Sequence, residues 1–502
     1  MPSHTAGPLL SPGGSVLIYA KFACSPDDAR VHPPTLHACV PSVPSGHNRD
    51  GTGRVALCIK EIARVSPPAT NSKRAARKPA SRTPRASFLR SLGPGLITGA
   101  ADDDPSGIAT YSQVGAQFGT GMLWTMLFSF PLMSAIQEIC ARLGRITGEG
   151  VAENIRKHYP KPLLYGIVSL LCIANIFNLG ADVSAMGAAA QLVFGGSLSA
   201  YALAFGFASL LLQIFVPYEK YVRFLKGLTL ALFAYVATAF VVHVPWIAAL
   251  HATLIPSISW TATYWMALVA VLGTTISPYL FFWQASEEAE DERLKEGDEP
   301  LTKKPSQAAT QFRRIAIDTR VGMAFSNLVA FFIILTTAMT LHGSTAGNNI
   351  ETAADAAKAL RPLAGNFAFL LFALGIIGTG LLAVPVLAGS AAYAVAESFQ
   401  WRDSLEDKPR QAPKFYAVLA AAMLIGISLN FLGMNPIRAL FWSAVLNGVV
   451  AVPLMIVLMH MSSNPKITGT FKPPLYVTIV GWAATAVMFL AALGFFIGAL
   501  HT

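Results

Sequence analysis

Three consecutive carboxylates interrupt an apolar stretch, in the run Gly93-Pro-Gly-Leu-Ile-Thr-Gly-Ala-Ala-Asp102-Asp103-Asp104-Pro105-Ser106-Gly107. Carboxylate oxygens are hard ligands suited to cations such as Mg²⁺ or Mn²⁺. A charged group near the middle of a bilayer costs at least about 2.5–3.5 kcal/mol on insertion scales, so such groups mark function. Pro105 removes a backbone donor and the glycines lower helix preference, so a helix unwinds here. The freed carbonyls are tolerated in a membrane only where they line a cavity or are covered by protein. A second interruption reads Gly273-Thr274-Thr275-Ile276-Ser277-Pro278-Tyr279. Asp104, Asp103, the Ser277 hydroxyl and the Thr274 carbonyl, brought face to face, make an oxygen site for a hard divalent cation. Plainer readings stand beside this one. Asp102 and Asp103 also suit capping a half-helix or sitting in water, and Pro278 suits an ordinary kink.

These runs need membrane helices to position them. Over half of the 502 residues are apolar (53%) and 13% are charged, too little charge to cover a soluble chain of this length. Mean hydropathy is +0.51. The apolar residues come in blocks of the length that spans a hydrocarbon core, about 20 residues. The sequence predicts an all-α membrane protein of eleven spans: 91–118, 121–143, 163–194, 199–216, 223–243, 262–286, 318–342, 366–398, 415–433, 436–461 and 475–500. Residues 245–256 form a short segment suited to the interface. Taken as two inverted five-helix repeats, spans one to five and six to ten place the two interruptions at matching positions. That is the strongest sequence pointer to a transport site.

Loop charge fixes the expected orientation. Arg142–Lys161, Lys220–Lys226, Arg293–Arg320, Arg402–Lys414 and Lys466–Lys472 are basic, whereas the alternate loops hold only Lys358, Arg361 and Arg438. Cytoplasmic loops carry the excess of Lys and Arg, so the amino terminus is expected inside and the carboxyl terminus outside, in a bacterial inner (plasma) membrane. Residues 1–88 form an expected basic, disordered tail ahead of a transmembrane domain over 89–502. A transit peptide and a downstream translation start are the alternatives for it. Residues 1–90 hold 13 Lys/Arg and 4 Asp/Glu, which is +9 of the net +10. With the charge so confined, no extended basic face remains for nucleic acid. Cys24, Cys39, Cys58, Cys140 and Cys172 show no CxxC spacing, so neither a disulfide framework nor a zinc site is expected. No P-loop, HExxH or GxSxG motif stands in a suitable context, so no enzyme activity and no cofactor are expected.

Over roughly residues 90–460 the sequence resembles the NRAMP family of divalent metal transporters. The family's Asp-Pro-Gly-Asn motif reads Asp104-Pro105-Ser106-Gly107 here. Its Gln and Arg-Leu-Gly-x-x-Thr-Gly stretch appears as Gln137 and Arg142-Leu-Gly-Arg-Ile-Thr-Gly148, and its Met-Pro-His motif as Ser277-Pro278-Tyr279. The departures fall on the metal site. The family's Asn becomes Gly107, and its metal-contacting Met, a soft ligand, becomes Ser277. An all-oxygen, roomier site suits Mg²⁺, which sheds water reluctantly. The resemblance is therefore to the NRAMP-related magnesium transporter branch. It implies alternating-access transport of Mg²⁺, with Mn²⁺ also accepted. Proton-coupled members carry acidic residues on span three and histidines on span six. An ungapped alignment puts Leu179 and Asp182 at the first pair and Tyr279 and Gln284 at the second, so proton coupling is expected to be weak or absent. Asp182 remains open to proton relay, to cation attraction, or to a polar partner. Asn447 on span ten either faces the same cavity or makes an interhelical hydrogen bond. Gln113 and Gln117 are undecided.

The implied partners are a divalent ion as substrate and the lipid bilayer; the oligomeric state is open. The run Glu287–Glu292 reads as a solvated charged helix end rather than a cation sensor. Competing readings are a proton-coupled Mn²⁺/Fe²⁺ importer, an amino-acid carrier of the same broken-helix class, and a non-transporting metal sensor. Three aspartates at the break make a substrate carboxylate unwelcome, which disfavours the amino-acid carrier.

Overall fold

The computed structural model describes residues 94–216, 230–343, 350–405 and 407–500. The expected tail (1–88), the loop Lys220–Lys226, the tail cysteines and the start of span five lie outside these residues. No strand occurs among the described residues.

Both interruptions break helices. The first span divides into α1 (Pro94–Asp102) and α2 (Pro105–Phe118). Asp104 is the N-cap of α2, extended at φ −73° and ψ 169°, and its carboxylate accepts from the Gly107 N–H. Proline follows at the first helical position, where its missing donor does no harm. The chain continues through α3 (Trp124–Thr147), α4 (Val151–His158), α5 (Lys161–Phe194), α6 (Leu198–Phe215), α7 (Phe233–Val241) and α8 (Trp246–Leu254). The sixth span divides into α9 (Ala262–Thr275) and α10 (Pro278–Leu294). Ser277 takes the N-cap position of α10 with Pro278 after it. The long helices that follow are α11 (Ala308–Thr340), α12 (Ala368–Ser398), α13 (Pro413–Ser428), α14 (Pro436–Ser463) and α15 (Leu475–Leu500).

Among the described residues, eight spans are long and apolar enough to cross a bilayer unaided, and two bent helix pairs bring this to ten. The difference from eleven arises where the first and second spans meet as one bent pair and where span five begins outside the described residues. The first span is cut into pieces of 9 and 14 residues, too short alone. Its second piece turns through 108° into α3, and α7 turns through 120° into α8. The α9–α10 span is almost wholly buried, while α6 and α15 turn most of their surface outward. The broken helices therefore sit at the centre.

Glycine allows α1 to lie directly on α11. A Cβ on Gly99 would stand 2.6 Å from the Gly322 Cα, and one on Gly95 would stand 2.8 Å from the Thr319 nitrogen. Small residues at a membrane helix crossing allow this backbone approach. Asp318 completes the contact, its two carboxylate oxygens accepting from the Gly95 N–H at 2.8 Å and the Leu96 N–H at 3.2 Å. Removing a partner from a buried donor costs about 1–3 kcal/mol. Asp318→Ala should therefore lower the melting temperature of the purified protein by several degrees; an unchanged melt would mean the carboxylate does not hold α1.

At the basic-loop end the acidic run departs from its reading as solvated. Glu288, Glu290 and Glu292 are buried. Glu288 pairs with Arg314, Glu290 accepts from Tyr393 and Ser404, and Glu292 lies 3.6 Å from the buried Arg145. The charges are buried because Arg314 of α11 and Arg145 of α3 supply counter-charges that adjacent sequence does not show. Asp403, in the loop after α12, is pushed up to about 6 by burial, with Arg293 at 3.7 Å pulling the other way.

Candidate metal-ion site

The site is built at the two breaks. Asp104 is 1% exposed. Its Oδ1 accepts from the Ser106 hydroxyl at 2.6 Å and the Gly107 N–H at 2.8 Å. Its Oδ2 accepts from Asn178 Nδ2 at 3.1 Å and faces the Tyr279 hydroxyl at 3.5 Å. That hydroxyl also donates to the Ala101 carbonyl at 3.0 Å. A carboxylate so surrounded by donors is held in one orientation.

Across from it stands Thr274. A Cβ built on Gly107 would lie 3.1 Å from Thr274 Oγ1, 3.3 Å from the Tyr111 ring and 3.6 Å from Asp104 Oδ1. The Gly107 Cα thus lies close to an oxygen of each broken helix, closer than a side chain at 107 would allow without its neighbours giving way. Ser277 turns away from this point. Its hydroxyl donates to the Thr274 carbonyl at 2.8 Å and lies 3.1 Å from the Gly273 carbonyl.

The remaining residues divide. Asp182 is buried on α5 and approaches the Ser106 backbone N–H without closing a hydrogen bond. Asn447 is buried on α14; Gly273 packs on Ala444 and Gly448, which brings that turn of α14 to the end of α9. Both carboxylate oxygens of Asp182 and both amide atoms of Asn447 lack hydrogen-bond partners among the described residues. Asp102 and Asp103 point elsewhere, sharing the Ser326 hydroxyl of α11 at 2.5 and 3.1 Å. Gln284 joins α10 to α1 by accepting from the Thr98 hydroxyl. Gln113 and Gln117 line a cleft of about 250 Å³ with Met266, Arg438 and Trp442, and Gln113 accepts from the Ile350 N–H at 2.9 Å. Among the described residues no three Asp, Glu, His or Cys side chains converge as a chelating group.

Asn178 escaped the sequence reading although it grips the central carboxylate. Its spacing of four from Asp182 was the available signal, since i and i+4 share a helix face. Ser326 gave no local signal, because it meets Asp102 and Asp103 only through the packing of α11 on α1.

Residues 95–498 match the family model described as natural resistance-associated macrophage protein-like, Nramp. The chain belongs to the Nramp family. Among its relatives is a divalent metal cation transporter, MntH, of Klebsiella pneumoniae, 28% identical over 427 residues and covering 81% of this chain and 94% of the relative. The MntH of Yersinia enterocolitica is 26% identical, covering 80% and 93%. A solved manganese transporter from Eremococcus coleocola superposes with a TM-score of 0.63 at 17% identity, covering 83% of this chain and 88% of that one. Mhp1, a nucleobase-cation-symport-1 family transporter, superposes with a TM-score of 0.50 at 13% identity, covering 82% and 93%. These likenesses establish a LeuT-like transporter fold with broken first and sixth helices for this Nramp chain.

Proposed function

We propose that this protein carries divalent metal cations across a membrane by alternating access, taking Mg²⁺ preferentially, accepting Mn²⁺, and moving them without obligatory protons. The observation that carries this is the approach of Asp104 Oδ1 and Thr274 Oγ1 to one point beside Gly107. An anionic oxygen and a neutral one, with no thioether, suit a hard cation. The unpaired oxygens of Asp182, Asn178 and Asn447 suit the outward-pointing hydrogens of a partly hydrated Mg²⁺. The MntH relatives are named divalent metal cation transporters, which supports the substrate class. The site is that of a carrier, not an enzyme.

The basic-loop end is read as cytoplasmic, in a bacterial inner membrane. Contacts of Asp318, Gly99 and Gln284 hold α1 shut there. The cleft beside Gln113 and Gln117 lies farther along α2, toward the other end. This is the arrangement of a carrier facing away from its basic loops.

A proton-coupled Mn²⁺ importer is the second reading, favoured by Asp182 lying beside the Asp104 segment. Uptake by liposomes holding the purified protein separates the two. Mg²⁺ entry should persist, within about twofold, when a proton gradient is imposed or collapsed, because the break helices carry no histidine to titrate near neutrality. Mn²⁺ entry alone, accompanied by internal acidification, would overturn this and establish the coupled reading.

A further inference from the structure

We infer that the side-chain hydroxyl of Thr274 is the group through which α9 meets the transported ion, and that it helps set the preference among divalent cations. The inference rests on the transport reading above. Three candidate oxygens stand at this break: the Thr274 carbonyl, the Ser277 hydroxyl and the Thr274 hydroxyl. The first two are joined to each other, since Ser277 Oγ donates to the Thr274 carbonyl at 2.8 Å. Only the third is left without a hydrogen-bond partner among the described residues, and Thr274 is fully buried.

The neighbouring threonine shows what an uncommitted hydroxyl does in a helix. Thr275 Oγ1 donates to the Val271 carbonyl one turn back, at 3.0 Å. This is the usual local bond for threonine. Thr274 makes no such bond. Its Oγ1 lies 3.1 Å from where a Gly107 Cβ would stand, a point also 3.6 Å from Asp104 Oδ1. A hydroxyl offers one proton and two acceptor lone pairs. It can therefore turn a lone pair to a cation, or to a cation-bound water, while donating to a neighbour. The Tyr111 ring borders the same point, and its hydroxyl approaches Thr274 without either closing a hydrogen bond. A buried hydroxyl with no partner is costly, and an ion or its water removes that cost.

Gly107 and Thr274 thus act as one unit. The absent side chain at 107 lets Thr274 Oγ1 and Asp104 Oδ1 approach the same point, and the Thr274 oxygen supplies a hard contact there. A hydroxyl favours Mg²⁺ over softer cations more than an apolar group of the same shape does.

The test measures initial uptake against concentration for Mg²⁺ and Mn²⁺, using the full chain in liposomes. Thr274→Val keeps the shape and the carbonyl and removes the oxygen. Its KM for Mg²⁺ should rise about tenfold, equivalent to about 1.4 kcal/mol, with the maximal rate within about twofold. The KM for Mn²⁺ should rise less. Thr274→Ser should stay within about threefold of the parent, and Ser277→Ala should leave KM unchanged. If Thr274→Val fails to insert, Thr274→Ala against Thr274→Ser gives the same comparison. An unchanged KM in the hydroxyl-free variants, or an equal rise in Ser277→Ala, overturns the inference while transport itself stands. A parent protein that moves neither ion removes the transport reading and the inference together.

Discussion

Asp104→Ala should bring divalent cation uptake down to the liposome background while leaving a folded, monodisperse protein. In the proposed site the Asp104 carboxylate is the group that meets the ion from α2. Donors from Ser106, Gly107 and Asn178 hold it at 2.6–3.1 Å, and the Tyr279 hydroxyl faces it at 3.5 Å. Removing one partner of a buried ionic contact costs about 3–5 kcal/mol, which predicts a loss of at least about 100-fold in apparent affinity. The structural cost is smaller. Loss of a helix N-cap costs about 1 kcal/mol. Asp104→Asn separates the two effects, because it keeps the shape and an acceptor for the Gly107 N–H but removes the charge. Both variants should lose uptake of Mg²⁺ and Mn²⁺ alike. Metal titration by calorimetry should show no binding heat in either. Uptake by Asp104→Asn within threefold of the parent would place the ion elsewhere.

The second large effect is expected away from the ion. Gly99→Val should abolish transport and destabilise the protein, although residue 99 contributes no oxygen side chain to the site. A side chain there meets the backbone of Gly322, which cannot rotate aside. Overpacking of this kind costs about 1–3 kcal/mol when neighbours yield, and more when they are backbone. The helix α1 would be lifted from α11, taking its Asp318 cap and the Asp102–Ser326 contact with it. A thermal melt and an uptake assay read the two consequences. Gly166→Ala is the control, since nothing lies within 4 Å of the position a Cβ would take on that glycine. Normal uptake by Gly99→Val would show that the α1–α11 contact does not need to close.

Much of this was legible in local chemistry. Proline lacks a backbone donor and suits the first turn of a helix after a polar cap, so Asp104-Pro105 and Ser277-Pro278 pointed to the two interruptions. Hydropathy located the spans, because about 20 apolar residues match the bilayer core wherever they occur. The span count was less secure, since a broken helix and a sharply turning one each change what a single span means.

The chain by itself determined the class, the broken helices, and Asp104 as the charged residue to examine. Only the packing decided which oxygens face that carboxylate. Ser277 and Thr274 sit three residues apart on one break, and sequence ranked the serine hydroxyl and the threonine carbonyl as the ligands. In the folded protein those two bond to each other, leaving the Thr274 hydroxyl beside Gly107. Asp102 and Asp103 look equivalent to Asp104 along the chain, yet Ser326, over two hundred residues away, takes both. The acidic run in the last turns of α10 looked solvated until Arg314 and Arg145 met it. Residue type and spacing fix what a side chain is able to bind. Its partner depends on rotations about helix axes and on contacts between distant segments, which only the assembled bundle supplies.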